Sequence, residues 1–137
     1  MATRFDKALE FALRWEGGLS DDPDDRGGRT MQGVTQRVYD AWRKQRGLIT
    51  QDVALIGKDE LGAIYNEGYW LKGHSDQLRA ELDLVQFDTG VNMGTNRAIK
   101  ILQAAVGIRD DGVFGGGTQA ACDACEPAGA VARYCAI

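Results

Sequence analysis

EGGLSDDPDDRGGRTMQGVT, from Glu16 to Thr35, is the stretch that organises everything around it. Before it, Phe5, Ala8, Leu9, Ala12 and Trp15 recur at helical spacing through residues 4–16. That helix is expected to end at Glu16, with Gly17-Gly18 as its stop signal. Within the stretch, Asp and Gly punctuate the chain and apolar residues are few. Residues 17–34 therefore read as irregular, with a short hairpin around Arg29–Val34. After it the chain reads as helical to its end.

Working outward, Thr35 is expected to cap a helix running to Arg46, with Val38, Trp42 and Tyr39 turned inward. Thr50 is expected to cap a short helix reaching Ile56. Residues 58–70 suit another helix, with Leu61, Ile64, Tyr65 and Tyr69 on one side. Ser75 or Asp76 opens a long helix to about Asn92, which Gly94 ends. Thr95 opens the next, through Ala105, carrying Ile99, Leu102 and Val106. Residues 107–117 form a Gly-rich turn, and Thr118 begins a last helical piece. Neither a repeat nor a Pro/Ser-rich linker divides the chain. The expectation is one mainly α domain of six to eight helices, with a small irregular or β element near its start.

Composition narrows the function. The 137 residues suit one compact domain, and 16 basic against 20 acidic residues give a formal charge of −4. Nucleic-acid binders normally carry a basic face, so that class is set aside. No apolar run reaches the length of a transmembrane segment. Asp6, Glu10 and Arg14 interrupt the N-terminal stretch where a secretory signal needs an unbroken apolar core. Synthesis in the cytoplasm without a signal peptide is the expectation. The three Cys all follow residue 120 and make no disulfide framework.

The central stretch also carries the chemistry. Glu16 ends a helix beside Phe11 and Trp15, which would desolvate its carboxyl group and raise its pKa, as a general acid requires. Asp25 follows in a polar, Gly-flanked segment that would keep a carboxylate ionised. Two carboxylates in contrasting surroundings are what glycoside hydrolysis uses. Thr30 is placed to hold a water or a substrate hydroxyl. The plain alternative is a solvated helix end followed by a solvated acidic loop. A calcium loop fails on spacing: starting at Asp22 puts Arg26 and Gly33 where oxygen ligands belong, and starting at Asp21 puts Pro23 and Gln32 there.

These residues resemble the signature of glycoside hydrolase family 108, N-acetylmuramidases of the lysozyme superfamily. The ordered matches are Glu16-Gly17-Gly18, Asp22-Pro23 with Asp25, Gly27-Gly28 with Thr30, and Gly33-Val34-Thr35. Tyr69-Trp70, Phe87-Asp88 with Gly90-Val91-Asn92 and Gly94, Leu102-Gln103, and Asp111-Gly112 with Phe114-Gly115 and Thr118 extend the likeness over nearly the whole chain. The resemblance implies a mainly α (α+β) lysozyme-like fold, with residues 1–74 as a catalytic half and 75–137 as a helical, peptidoglycan-binding-like lobe of a single domain. It implies hydrolysis of the β-1,4 bond between N-acetylmuramic acid and N-acetylglucosamine in a peptidoglycan glycan strand. Glu16 matches the family's catalytic acid, Asp25 its second carboxylate, with Asp21, Asp22 and Asp24 as neighbouring registers, and Thr30 a water-positioning residue. No cofactor is implied. A monomer that acts on the cell wall after release, by a holin or a similar route, is the accompanying expectation. A glycan groove is expected between the 17–35 element and the helical lobe. Leu19 departs from the aromatic common at that position, and family members continue through a Gly-Trp-containing stretch beyond the point matching Ile137.

The remaining features have plainer alternatives. Asp111 to Thr118 resembles the turn of peptidoglycan-binding modules, but equally a glycine turn between helices with Thr118 capping the second. Cys122 and Cys125 form a lone pair without the further ligands zinc needs. His74, the only His, has no visible catalytic partners. Tyr65, Tyr69 and Trp70 suit a core, with Trp70 also a candidate to line a sugar groove. Asn92 is a candidate for a sugar amide, or a helix C-terminal residue before Gly94. Glu60, Glu67 and Glu81 read as exposed helix charges. The rival functions are a non-catalytic peptidoglycan-binding protein and a regulatory protein on the same fold.

Overall fold

The computed structural model describes residues 3–14, 19–20 and 29–137. It is mainly α, with a small antiparallel sheet after the first helix, as expected of a lysozyme-like fold. The chain divides into two compact units, Leu9–Ile64 and Met1–Ala8 with Tyr65–Ile137. Helix α1 runs from Arg4 to Leu13.

In the Leu9–Ile64 unit, β1 (Leu19–Ser20), β2 (Thr30–Met31) and β3 (Val34–Thr35) pair in that order, all antiparallel. Thr30 lies opposite Ser20 on one side and Thr35 on the other. Gln32 and Gly33 join β2 to β3 with φ of 49° and 85°. Two consecutive positive φ values give the turn twist that two-residue hairpins favour. The hairpin expected around Arg29–Val34 is therefore present. Helix α2 (Gln36–Gln45) starts where expected, with the Thr35 hydroxyl accepting from Val38 N at 3.1 Å.

The inward face of α2 differs from expectation. Val38 is 47% exposed, whereas Tyr39 is fully buried. Polar bonds to the tip of Tyr39 explain this. Its hydroxyl donates to Glu60 Oε1 at 2.6 Å and accepts from Gln51 Nε2 at 2.6 Å. Arg43 donates to the other Glu60 oxygen at 2.6 Å. Glu60 is thus a half-buried partner rather than an exposed charge. Thr50 does not cap a helix either. Asp52 does, accepting from Ala54 N at 3.0 Å and starting a single 3-10 turn, Val53–Leu55. Helix α3 (Lys58–Tyr65) follows.

In the other unit the chain continues from Tyr65 into a π-helical turn, Asn66–Trp70. The helix expected over 58–70 is present, but its last turn is wider than α. The long helix expected from Ser75 is broken. A 3-10 turn (Ser75–Gln77) precedes α4 (Leu82–Met93). The reason is Glu81, whose φ of 76° lies outside helical geometry just before α4. Gly94, at φ 92°, ends α4 and leads directly into α5 (Thr95–Ala105), as expected. Helix α6 (Gly116–Ala124) starts two residues before Thr118. Thr118 does not cap it; its buried hydroxyl accepts from Gln103 Nε2 at 3.1 Å. A separate α7 (Pro127–Ala136) follows, where one final helical piece was expected. Pro127 stands in its first turn, and the Glu126 carboxylate accepts from Ala128 N and Gly129 N.

Two apolar groups make the core of this unit. Leu78, Leu82, Leu102, Ala105, Cys122, Ala130 and Tyr134 form one. In the other, Phe5, Trp70 and Phe87 meet edge to face with centroids 5.6–5.8 Å apart. Asp83 and Gln86, buried with them, are paired. Arg4 holds both oxygens of the buried Asp83, at 3.0 and 2.8 Å. Gln86, fully buried, donates to Gly73 O at 2.9 Å and accepts from the Tyr134 hydroxyl at 2.8 Å.

Two stability predictions follow from these networks. Tyr134→Phe strands the Gln86 acceptor in the core and should cost about 1–3 kcal/mol in urea unfolding. A loss near zero would show that Gln86 finds another donor. For Glu60, burial pushes the carboxyl up, but the hydrogen bonds from Tyr39 and Arg43 outweigh it and hold the group below its ordinary 4.5. Its stabilisation is then full above that value and is lost as pH falls through the lower folded value. Glu60→Gln should be less stable than the parent at neutral pH, and the gap should close in acid. Thermal unfolding of both proteins against pH checks this, and a gap that widens in acid would refute it.

Candidate active site

Glu16 and Asp25 lie outside the described residues, as do Asp21, Asp22 and Asp24. The residues that bracket them are described. Ser20 and Thr30, which flank Asp25 in the sequence, pair across β1 and β2. Thr30 is half-buried in the middle strand. A threonine hydroxyl both donates and accepts, so it can orient a water or a sugar hydroxyl.

The strand is held at its root. Arg29 places its guanidinium on both oxygens of Asp52, at 2.7 and 3.0 Å. The hydrogen bond from Arg29, then that from Ala54 N, holds the Asp52 carboxyl below its usual range. The Arg29 carbonyl accepts from Gln36 N at 2.9 Å. The Gln36 side chain completes the frame: it donates to Asp40 Oδ1 and Gln51 O, and accepts from Val53 N at 2.6 Å. Sequence spacing did not mark these residues. The one available signal was the turn-capping chemistry of Asp52.

Trp70 and Asn92 belong to the other unit. Trp70 is 6% exposed and packs against Phe5 and Phe87, the core placement its helical spacing suggests. Asn92 is exposed near the end of α4 and donates to Asp88 O at 2.9 Å, one turn back. Burial raises the Asp88 carboxyl above its usual range, partly offset by a hydrogen bond from Asn92.

The segment from Asp111 to Thr118 is organised from beneath by Gln103. Its amide nitrogen reaches Asp111 Oδ1, Val113 O and Thr118 Oγ1, and its oxygen accepts from Gly112 N. An open cleft of about 330 Å³ lies beside it, lined by Gln103, Arg109, Asp111 and Thr118 among others. His74 stacks on Phe114 at 4.3 Å and bonds Gln77 through Nδ1. Cys122 is buried, Cys125 half-buried and Cys135 exposed. Burial pushes the Cys122 thiol up to about 11, which leaves it an inert core group at neutral pH. Among the described residues there is no group of three His, Cys, Asp or Glu side chains fit to hold a metal ion. Nor, among them, is any helix long and apolar enough to cross a membrane.

None of the curated proteins matches the chain. Among solved structures, SagA from Brucella abortus is similar, with a TM-score of 0.80 and 35% sequence identity. The match covers 96% of this chain and 75% of that one. The family model described as Glycosyl hydrolase 108 matches residues 9–94, which include Glu16, Asp25, Thr30, Trp70 and Asn92. By this match and that likeness, the chain belongs to glycoside hydrolase family 108.

Proposed function

We propose that this protein is an N-acetylmuramidase, a lysozyme that hydrolyses the β-1,4 bond between N-acetylmuramic acid and N-acetylglucosamine in peptidoglycan. The observation that carries this reading is the family match over residues 9–94, which spans the ordered run from Glu16 to Thr35. Glu16 is the general acid and protonates the leaving glycosidic oxygen. Asp25 is the ionised partner that stabilises the oxocarbenium-like transition state or activates water. Thr30, on the pinned middle strand, orients that water. Asn92, exposed on α4, is offered as a contact to a sugar amide. Trp70 enters only as core. The protein acts on the wall after release, as a monomer.

The test is digestion of purified peptidoglycan by the parent protein and by Glu16→Gln, followed by borohydride reduction and mass spectrometry. The parent should release muropeptides ending in reduced N-acetylmuramic acid, and the variant should release essentially none. Reduced N-acetylglucosamine ends would reassign the bond cleaved. No cleavage by folded parent protein would sink the enzyme reading.

A further inference from the structure

We propose that Arg29 and Asp52 form a positioning pair for glycan cleavage, fixing the start of β2 so that Thr30 presents its hydroxyl at one angle. The proposal rests on the muramidase reading above. Three observations carry it. Arg29 immediately precedes Thr30, and its two guanidinium nitrogens meet the two Asp52 oxygens at 2.7 and 3.0 Å. Such a fork fixes orientation as well as distance. Asp52 is itself fixed, because the same Oδ1 accepts from Ala54 N and starts the 3-10 turn. Finally, the Arg29 backbone is held independently by Gln36 N, whose side chain also accepts from Val53 N. Arg29 is thus clamped at both backbone and side chain against the 51–54 segment.

Exposure separates a positioning role from a stabilising one. The Arg29 side chain is 31% exposed and that of Asp52 45%. An ion pair so open to solvent is screened and adds little to stability. A misplaced group in a hydrolytic site, by contrast, costs rate steeply even when it moves by about an ångström. The pair should therefore weigh on turnover far more than on folding. Neither side chain needs to touch the glycan.

The experiment is a double-mutant cycle on the full chain, with initial rates measured over a range of soluble glycan-strand concentrations. Arg29→Gln and Asp52→Asn should each lower kcat by about 10–100-fold. KM should stay within about twofold, and Tm should fall by less than about 4 °C. The double variant should be no slower than the worse single one, because both remove one device. Arg29→Lys keeps the charge but loses the fork, and should not restore the rate. Additive losses, a raised KM confined to Arg29→Gln, or full rescue by Lys would each overturn the proposal, since Arg29 would then act on the glycan by itself. Rate losses that merely follow the fraction unfolded would overturn it too. If the folded parent cleaves no glycan, the muramidase reading fails, and the pair is judged by amide exchange. Asp52→Asn should then speed exchange at the Gln36 and β2 amides by about tenfold or more. Unchanged exchange would reject the pair as a positioning device.

Discussion

A sheet of three strands, each two residues long, has too few ladder bonds and too little face to hold a geometry unaided. Whatever depends on Thr30 therefore depends on what grips the sheet from outside. That grip is concentrated in Gln36, the first residue of α2. Its backbone amide donates to the Arg29 carbonyl, and its side chain reaches Asp40, Gln51 and Val53. One residue so ties the hairpin to the helix that follows it and to the 3-10 turn beyond. Arg29 and Asp52 close the same frame from the other side. A half-buried Gln whose amide is bonded at both its nitrogen and its oxygen is held in place, because breaking any one bond costs a polar contact.

The Tyr65–Ile137 part of the chain solves a different problem. Its helices bury several polar side chains, and each must be answered from a neighbouring segment. Asp83 is answered by Arg4, Gln86 by Gly73 and Tyr134, and Gln103 by the turn from Asp111 to Thr118. The Arg4–Asp83 and Gln86–Tyr134 pairs cross between elements far apart in sequence, so they fix register where apolar packing alone would tolerate sliding. Ser75 Oγ is the buried exception among the described residues.

What the sequence made legible follows from which forces are local. Thr35 as a cap, the hairpin before it, and Gly94 as a joint were readable because each depends on a few neighbouring residues. That Tyr39 is buried while Val38 is left exposed was not, since it depends on Glu60 and Gln51, twelve or more positions from Tyr39. The break before α4 was hidden because Glu81 adopts a positive φ that its residue type disfavours. The start of α7 was missed although Glu126-Pro127 is a helix-start signal. For the site, residue identity and order pointed to Thr30 and its family. The Arg29–Asp52 frame was invisible, because nothing local pairs residues so widely separated.

The family match stops at Gly94, yet the part of the chain it covers is not held by itself. The Phe87 to Asn92 stretch sits on α4, and α4 is secured from beyond that boundary. Gln86 accepts from Tyr134 of α7, while Leu82 shares its apolar cluster with Leu102 of α5 and Cys122 of α6. Phe87 in turn packs on Trp70 and Phe5. Helices α5 to α7 thus supply the far wall against which a family element keeps its position. Substitutions there would be felt first as a loosening of α4, and only through it at Asn92. That route differs from the one around Thr30, where the frame is short, polar and close to the surface.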